Sequence, residues 1–289
     1  MGLTDRRRAI VLFGDSLTQR SWEPHGWGAA LAHRYGRRCD VYNRGYGGYN
    51  TRWCRSMLDE LFPRDEHPLL VTVMLGTNDA ALVDVEPGAT VPLDEYTDNL
   101  TAIVRRAKLR SRRVVVMTPP CMDEPARLAF QREKYGDRAL GRLERTNANT
   151  ARYAEAAKSV ASSLGVPCVD LFSATTEASR RSASTIFEDG IHFNAEGQRV
   201  VFKALEECLR TMPGFEALDP EGMEPDWPFG PRLRPNPEAW RETMAAHEAA
   251  AAGGWEPLRG AGGRWDWTAG LGIGLGVGAA VGFAVGRWR

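Results

Sequence analysis

The fold of this chain is decided near its N-terminus, by the stretch Ala9-Ile10-Val11-Leu12-Phe13-Gly14-Asp15-Ser16-Leu17-Thr18. Five apolar residues in an unbroken run are typical of a buried β-strand, and the run is too short for the core of a signal peptide. A loop that carries a serine follows directly. Four further stretches are predicted as strands, the last of them weakly: Asp40–Tyr42, Leu69–Leu75, Arg113–Met117 and Val166–Leu171.

Helical patterns lie between these strands. In Leu93–Leu109 the apolar residues recur at steps of three and four, which places them on one face of a helix. Strands that alternate with helices predict an α/β fold, in which a parallel sheet is covered on both faces. We interpret Ala80–Pro92 and Cys121–Tyr135 as loops that set the size of a pocket. Helices are predicted at Gly28–Tyr35, Arg52–Leu61, Leu93–Leu109, Leu143–Leu164 and Ala195–Leu209.

The composition is that of an ordinary globular protein without excess charge. Of the 289 residues, 43% are hydrophobic and 26% are charged, and 37 Lys and Arg balance 37 Asp and Glu. Without net charge there is no overall field to attract nucleic acid or an anionic membrane surface, so neither partner is expected. The five cysteines show no disulfide framework or metal-binding spacing, which indicates buried, reduced thiols in a reducing compartment.

The serine after the first strand is the first candidate for chemistry. Ligands of open parallel sheets bind beyond the carboxyl ends of the strands, and Ser16 stands at such an end. Taken alone, Ser16 fits a helix N-cap equally well. The chain has no G-x-S-x-G motif, which disfavours the α/β-hydrolase fold.

A second candidate stands at the other end of the same domain, in Asp189-Gly190-Ile191-His192. A serine nucleophile needs a neutral imidazole to accept its proton, and the imidazole needs a carboxylate to fix its tautomer. One tight loop with Gly190 at its turn can supply both groups. Taken alone, His192 fits a structural or surface histidine and Asp189 fits a turn former. Asn194 is predicted to cap the final helix and so to hold the loop in place.

Two more loops could supply hydrogen-bond donors to the oxyanion that forms during acyl transfer. The glycines of Asn43–Trp53, Gly48 among them, allow a backbone N–H to approach a ligand closely. In Gly76-Thr77-Asn78-Asp79 the Asn78 amide could donate. A flexible turn at the first loop and a helix cap or Asx-turn at the second are the alternatives.

These motifs together resemble the GDSL/SGNH family of esterases and lipases, and within it most closely the isoamyl acetate-hydrolysing esterases. The resemblance covers about 200 residues and implies a flavodoxin-like, three-layer α/β/α sandwich that hydrolyses esters without metal or cofactor. Carried over by position, Ser16 is the nucleophile, His192 the general base and acid, and Asp189 its orienting carboxylate. The N–H groups of Ser16 and Gly48 and the Asn78 side chain would form the oxyanion hole. The matching blocks are Gly14-Asp15-Ser16-Leu17, Gly48, Gly76-Thr77-Asn78-Asp79 and Asp189-Gly190-Ile191-His192, with further likeness in Phe13-Gly14-Asp15-Ser16, Gly26-Trp27-Gly28, Asn43-Arg44-Gly45 and Gly48-Tyr49-Asn50-Thr51-Arg52-Trp53.

The chain departs from the family pattern at Gly47, where close relatives often carry serine. The change should matter little, because the expected donor there is a main-chain N–H. Asp79 is interpreted as structural. The predicted function is hydrolysis of small, acetate-type carboxylic esters through an acyl-enzyme. The alternatives are a lysophospholipase or lipase, a carbohydrate O-deacetylase, and a non-catalytic membrane-tethered binding domain.

The C-terminal third lies beyond the family resemblance. We divide the chain into a catalytic domain at residues 1–212, a Pro- and Gly-rich extension at 213–266 with a short helix at Pro237–Ala252, and an apolar tail at 267–289. Residues 267–286 lack charge and could span a membrane as a tail anchor, but their glycines fit a disordered tail as well. Since no export signal precedes the first strand, we expect an intracellular protein, which would face the cytosol if the tail is an anchor.

Overall fold

Five parallel strands form the sheet in the described part of the chain, in the order β2-β1-β3-β4-β5. The computed structural model describes residues 8–61, 67–139, 141–182, 184–214, 218–223, 225–226, 244–246 and 249. Because β1 lies between β2 and β3, consecutive strands are placed on opposite sides of β1, and a crevice opens beyond its carboxyl end. The strands are β1 (Arg8–Gly14), β2 (Cys39–Gly45), β3 (Leu70–Met74), β4 (Val114–Met117) and β5 (Cys168–Val169).

Helices connect the strands and cover both faces of the sheet. Alternate residues of β1 enter different apolar cores, since Ile10 and Leu12 belong to one cluster and Val11 and Phe13 to the other. The first cluster includes residues of α2 and α9, and the second includes residues of α3, α5 and α7. The helices are α1 (Ser16–Gln19), α2 (Trp27–Arg34), α3 (Thr51–Ser56), α4 (Leu58–Leu61), α5 (Leu93–Arg110), α6 (Glu124–Tyr135), α7 (Asn147–Ser163), α8 (Leu171–Arg181) and α9 (Ala195–Thr211), with 3₁₀ turns at Arg20–Trp22 and Gly136–Arg138.

The predicted architecture is therefore confirmed: a central parallel sheet between two layers of helices. The predicted strands are all present, although β5 is only two residues long. The helix predicted at Arg52–Leu61 is interrupted at Met57, and the helix predicted from Leu143 begins only at Asn147. The latter start is set by Thr146, whose side chain accepts a hydrogen bond from the Asn149 backbone at 3.2 Å.

The interpretation of Cys121–Tyr135 as a loop is wrong, because Glu124–Tyr135 forms α6. Asp123 caps this helix by accepting the Ala126 N–H at 3.0 Å, and a proline lies in the first turn. None of its described residues is fully buried, so the helix carries no apolar stripe that a search for periodicity could detect. Helix α8 was not predicted either; Leu171 and Thr175 are its only fully buried residues.

The five cysteines all lie within described residues, and each carries a free thiol. Three of them, Cys39, Cys54 and Cys121, are buried, and Cys168 and Cys208 are half-buried. Their prediction as reduced thiols that pack as small apolar groups therefore agrees with the structure.

The chain continues past α9 into contact with the first apolar cluster, where Leu218 and Met223 are buried. The Tyr35 hydroxyl donates to the Leu218 carbonyl at 2.7 Å, which ties this segment to the end of α2. The domain boundary at residue 212 remains a prediction. Within the helix predicted at Pro237–Ala252, residues 244–246 and 249 are helical. The tail at 267–289 lies outside the described residues. Among the helices of the described residues, none is long and apolar enough to cross a membrane.

Candidate active site

Three side chains predicted to form a catalytic triad meet at the carboxyl end of the sheet. Ser16 Oγ lies 3.0 Å from Nε2 of His192, and Nδ1 of His192 lies 2.8 Å from Oδ2 of Asp189. Serine and histidine are 176 positions apart in the sequence, so the fold alone brings them together. The distances fit a chain of hydrogen bonds from hydroxyl to imidazole to carboxylate.

Ser16 is the first residue of α1, directly after β1. The cap of this helix is Asp15, whose Oδ1 accepts the Leu17 N–H at 2.9 Å. The alternative interpretation of Ser16 as the N-cap is therefore wrong, and its hydroxyl is free to face the imidazole. Half-buried Ser16 also keeps its backbone N–H in the first turn, where helical N–H groups have no partner within the helix.

The Asp189 loop is held by its own backbone. Oδ1 of Asp189 accepts the N–H groups of Ile191 at 3.0 Å and of His192 at 2.8 Å, which leaves Oδ2 for the imidazole. Gly190 has φ +87°, and a Cβ there would lie 2.4 Å from the backbone nitrogen of Arg127, so only glycine fits. Asn194 caps α9 as predicted, by accepting the N–H groups of Glu196 and Gly197.

The Asp189 carboxylate is stabilised in its ionised form. Burial raises its pKa, but the hydrogen bonds from the His192 side chain and backbone lower it more, and the net pKa lies well below the usual range. Nη1 of Arg127 adds a further charged contact, 3.2 Å from Oδ2. Asp189 is therefore a permanent anion near neutral pH, as the orienting member of a triad must be.

The proposed oxyanion donors lie in the segments that follow β1, β2 and β3. Gly48, in the loop after β2, has φ +79°, a conformation that L-residues with side chains rarely adopt. A Cβ placed on the preceding Gly47 would lie 3.8 Å from the Ser16 Cβ. Asn78 Nδ2 donates to the Tyr49 carbonyl at 2.8 Å, and its second hydrogen remains available. Asn78 is thus neither a helix cap nor an Asx-turn, since its amide links two loops.

Two buried acids stand beside these groups. Burial raises the pKa of Asp15 to about 6 and that of Asp79 to about 7, against the opposing effect of hydrogen bonds from Leu17 and Thr51 respectively. Oδ1 of Asp79 accepts the Thr51 N–H at 2.9 Å and the Thr51 hydroxyl, whereas its Oδ2 has no hydrogen-bond partner among the described residues. Asp79 therefore joins the Gly48 loop to the Asn78 loop, as its structural interpretation requires.

Three charged residues around the site could not be recognised from the sequence. Arg127 contacts Asp189, Arg145 donates to Oδ1 of Asn78 at 3.1 Å, and Glu144 lies between the two arginines. The side chain of Glu144 is only 2% exposed, which is rare for a charged residue and indicates that both oxygens are in use. No motif marks these residues, and only their burial in the fold reveals them.

The rim of the site is open and partly aromatic. Gly47 and Gly48 are exposed, and the Tyr49 and Trp53 side chains are 37% and 43% exposed. Their rings meet edge to face with centroids 5.7 Å apart, and Tyr46 lies on the other side of Tyr49 at 5.5 Å. The exposed rings thus form an apolar surface on the segment that follows Gly48. Among the described residues, no cluster of His, Cys, Asp and Glu has the arrangement of a metal site.

The sequence of the chain matches those of known proteins. The sequence profile of the GDSL-like lipase/acylhydrolase family matches residues 12–200. A GDSL esterase/lipase of Arabidopsis thaliana is 41% identical over 228 residues, which cover 77% of this chain and 92% of the relative. The isoamyl acetate-hydrolyzing esterase 1 homolog of Mus musculus is 39% identical over 199 residues, which cover 67% of this chain and 78% of the relative.

Solved structures share the fold at lower identity. An alpha/beta hydrolase from the metagenome of Lake Arreo has a TM-score of 0.55 at 22% identity, covering 70% of this chain and 94% of its own. A catalytic mutant of an acetylxylan esterase from Geobacillus stearothermophilus has a TM-score of 0.53 at 19% identity, with 70% and 93% covered. The chain therefore belongs to the GDSL-like lipase/acylhydrolase family, which confirms the prediction of a GDSL/SGNH carboxylic ester hydrolase.

Proposed function

We propose that this protein hydrolyses small, acetate-type carboxylic esters through an acyl-enzyme formed on Ser16. The observation that carries the proposal is the continuous contact from Ser16 Oγ to His192 and from His192 to Asp189, at 3.0 and 2.8 Å. A binding module would have no use for these three groups in this arrangement. Fold likeness alone would not suffice, because one fold hosts many functions.

In the first half-reaction Ser16 Oγ attacks the ester carbonyl carbon while Nε2 of His192 takes the hydroxyl proton. The carbonyl oxygen becomes an oxyanion, which the N–H groups of Ser16 and Gly48 and the Asn78 amide stabilise. The tetrahedral intermediate then collapses, and the alkoxide leaves with the proton from Nε2. The products of this step are the free alcohol and an ester between Ser16 and the acyl group.

In the second half-reaction a water molecule takes the place of the alcohol. His192 accepts one proton from the water as its oxygen attacks the acyl carbon, and the same oxyanion donors stabilise the second intermediate. Its collapse returns the proton to Ser16 Oγ and releases the carboxylic acid. Asp189 stays ionised throughout and holds Nδ1 of His192 as a donor.

A small acyl group is favoured by the names of the relatives. Isoamyl acetate-hydrolyzing esterase homologs are among them, and acetylxylan esterases are among the structures with the same fold. Both names describe acetate esters. Tyr49 directly follows Gly48, and its exposed ring and that of Trp53 would offer an apolar surface to the alcohol part of a substrate.

The test is hydrolysis of a p-nitrophenyl ester series from acetate to palmitate by the wild type and by Ser16→Ala. We expect kcat/KM to peak at short acyl chains and activity to vanish in the variant. A peak at long chains would replace the proposal with a lipase or lysophospholipase. Absence of activity above the variant at every chain length would contradict an esterase that accepts simple aryl esters, and acetylated sugars would then be the next substrates.

Membrane association through residues 267–286 is a separate proposal, which rests on their uncharged sequence. Fractionation of cells that express the full chain or a variant lacking residues 268–289 tests it. Anchoring requires that only the full chain sediments with membranes. Recovery of both proteins in the supernatant would contradict it.

A further inference from the structure

We propose that Arg145 is a positioning residue for ester hydrolysis, which acts by fixing the Asn78 amide in the orientation that aims its N–H at the oxyanion. The inference rests on the proposed function, since it assigns Asn78 to the oxyanion hole. Arg145 lies just before α7, 67 positions from Asn78, and its side chain is only 8% exposed. Within the described part of the chain, its hydrogen bonds and ion pairs go to residues outside the triad, so any effect on the reaction has to pass through another group.

The chemistry of the contacts fixes which way the Asn78 amide faces. A guanidinium has only donors, so the Asn78 atom that lies 3.1 Å from Nη2 of Arg145 must be the oxygen. The Tyr49 carbonyl has only acceptor capacity, so the Asn78 atom at 2.8 Å from it must be the nitrogen. A flipped amide would place like groups together on both sides. The orientation is therefore determined from both ends.

Arg145 also holds the backbone on which Asn78 is mounted. Its Nε donates to the Thr77 carbonyl at 2.8 Å, so one planar guanidinium contacts both the main chain before Asn78 and the Asn78 side chain. Because the guanidinium is planar and rigid, the position of one of these two contacts fixes the position of the other. The positively charged guanidinium of Arg145 donates to Oδ1, which further polarises the Asn78 amide and strengthens its Nδ2–H as a donor.

The guanidinium is itself held in place by Glu144. Oε1 of Glu144 lies 3.0 Å from Nη1 of Arg145 and 2.5 Å from Nη2 of Arg127, so one buried carboxylate serves two arginines. Arg127 in turn contacts Asp189. Two carboxylates thus balance two guanidiniums, which makes burial of the four groups tolerable. Glu86 adds a more exposed contact to Arg145 at 3.1 Å.

A double-mutant cycle separates positioning from a general structural role. The four proteins are the wild type, Asn78→Ala, Arg145→Met and the double variant, assayed for kcat and KM on p-nitrophenyl acetate and for Tm. Loss of an oxyanion donor in Asn78→Ala should lower kcat about 100- to 1000-fold. Arg145→Met should lower kcat about 10- to 100-fold and leave KM within about threefold, because the misplaced donor acts only in the transition state.

The decisive comparison is the effect of Arg145→Met when Asn78 is already alanine. If Arg145 acts through the Asn78 amide, adding Arg145→Met to Asn78→Ala lowers kcat by less than a further factor of about three, because the group that Arg145 positions is already gone. A loss of kcat that is the same with and without Asn78 would overturn the proposal, as would unchanged kcat in Arg145→Met. Should Arg145→Met fail to fold, Arg145→Lys takes its place in the same cycle with the same expectation, since a single ammonium cannot reproduce the fork.

The matched control is Arg142→Met on the same loop, whose exposed guanidinium pairs with Asp84. Its kcat should stay within about twofold of the wild type, because the pair lies on the surface. The experiment also distinguishes this inference from the proposed function. Absence of wild-type hydrolysis, or full activity in Ser16→Ala, would contradict the function itself. A large loss in Asn78→Ala with additive effects of Arg145→Met would contradict only the positioning role.

Discussion

Nη1 of Arg127 lies 3.2 Å from Oδ2 of Asp189, the same carboxylate oxygen that faces the imidazole of His192. Oδ2 thus accepts from two side chains, and Oδ1 accepts from the backbone N–H groups of Ile191 and His192. This arrangement has a consequence for substitution by the isosteric amide.

We predict that Asp189→Asn lowers kcat about 1000- to 10,000-fold, through the wrong tautomer of the histidine. The two backbone donors would keep the amide oxygen on their side and turn the new NH₂ toward His192 and Arg127. Nδ1 of His192 would then have to accept, so the proton would lie on Nε2, where it blocks the uptake of the Ser16 proton.

The measurement is kcat on a short-chain p-nitrophenyl ester, with Glu188→Gln as the control. Glu188 is the neighbouring carboxylate, exposed and paired with Arg20 at 2.5 Å, so its amide variant should keep near-normal kcat. A loss of less than about tenfold in Asp189→Asn would show that the carboxylate does not orient the imidazole.

Gly48→Ala should impair the reaction through the backbone. Gly48 has φ +79° and nothing lies within 4 Å of a Cβ placed there, so the substitution is strained without any clash. We expect a stability loss of about 1 kcal/mol and a fall in kcat of about 10-fold or more, since relief of the strain rotates the N–H away from the oxyanion.

Gly88→Ala is the control for Gly48→Ala, because a Cβ there also meets nothing and its backbone is not in the left-handed region. Urea unfolding and steady-state kinetics on both variants make the comparison. Equal kcat values in the two variants would contradict a role for the Gly48 N–H.

The raised pKa of Asp79 leads us to predict that the unfolding free energy depends on pH. Its pKa is raised to about 7 by burial, above the value of about 3.9 in the unfolded chain. A raised pKa in the folded state contributes stability below pH of about 4, and this contribution is lost as the pH rises through about 7. Asp79→Asn removes the titration and keeps an oxygen for Thr51.

We therefore expect the unfolding free energy of Asp79→Asn, relative to the wild type, to grow by about 1 kcal/mol or more from pH 5 to pH 8. Urea melts across that range test this. Asp59→Asn, at an exposed carboxylate, is the matched control. A constant difference between wild type and Asp79→Asn would show that Asp79 does not titrate in this interval.

The fold could be predicted because most of the strands contain short apolar runs and the long helices carry apolar stripes. β1 and β3 are buried along nearly their whole length, and α5 buries one face only, so their patterns are visible in the sequence. Helix α6 could not be predicted, because it lies on the surface without buried residues and its capping signal is short.

Some residues of the site could be predicted from the sequence and others could not. Ser16, Asp189 and His192 lie in short motifs, which together indicate ester hydrolysis by a serine nucleophile. Arg127, Glu144 and Arg145 carry no motif, and each looks like an ordinary surface charge in a chain that is 26% charged. Their importance arises from burial and from contacts across 62 and 67 positions, which only the folded chain provides.

The most direct test of the central claim is to identify the residue that an ester-mimicking probe modifies. The wild type, Ser16→Ala and His192→Ala would each be treated with a fluorophosphonate, and the modified peptide would be located by mass spectrometry. We predict stoichiometric labelling of Ser16 in the wild type, no labelling in Ser16→Ala, and labelling at least about 100-fold slower in His192→Ala, because the imidazole activates the hydroxyl. Labelling of another residue, or equal rates with and without His192, would contradict Ser16 as the nucleophile of a serine esterase.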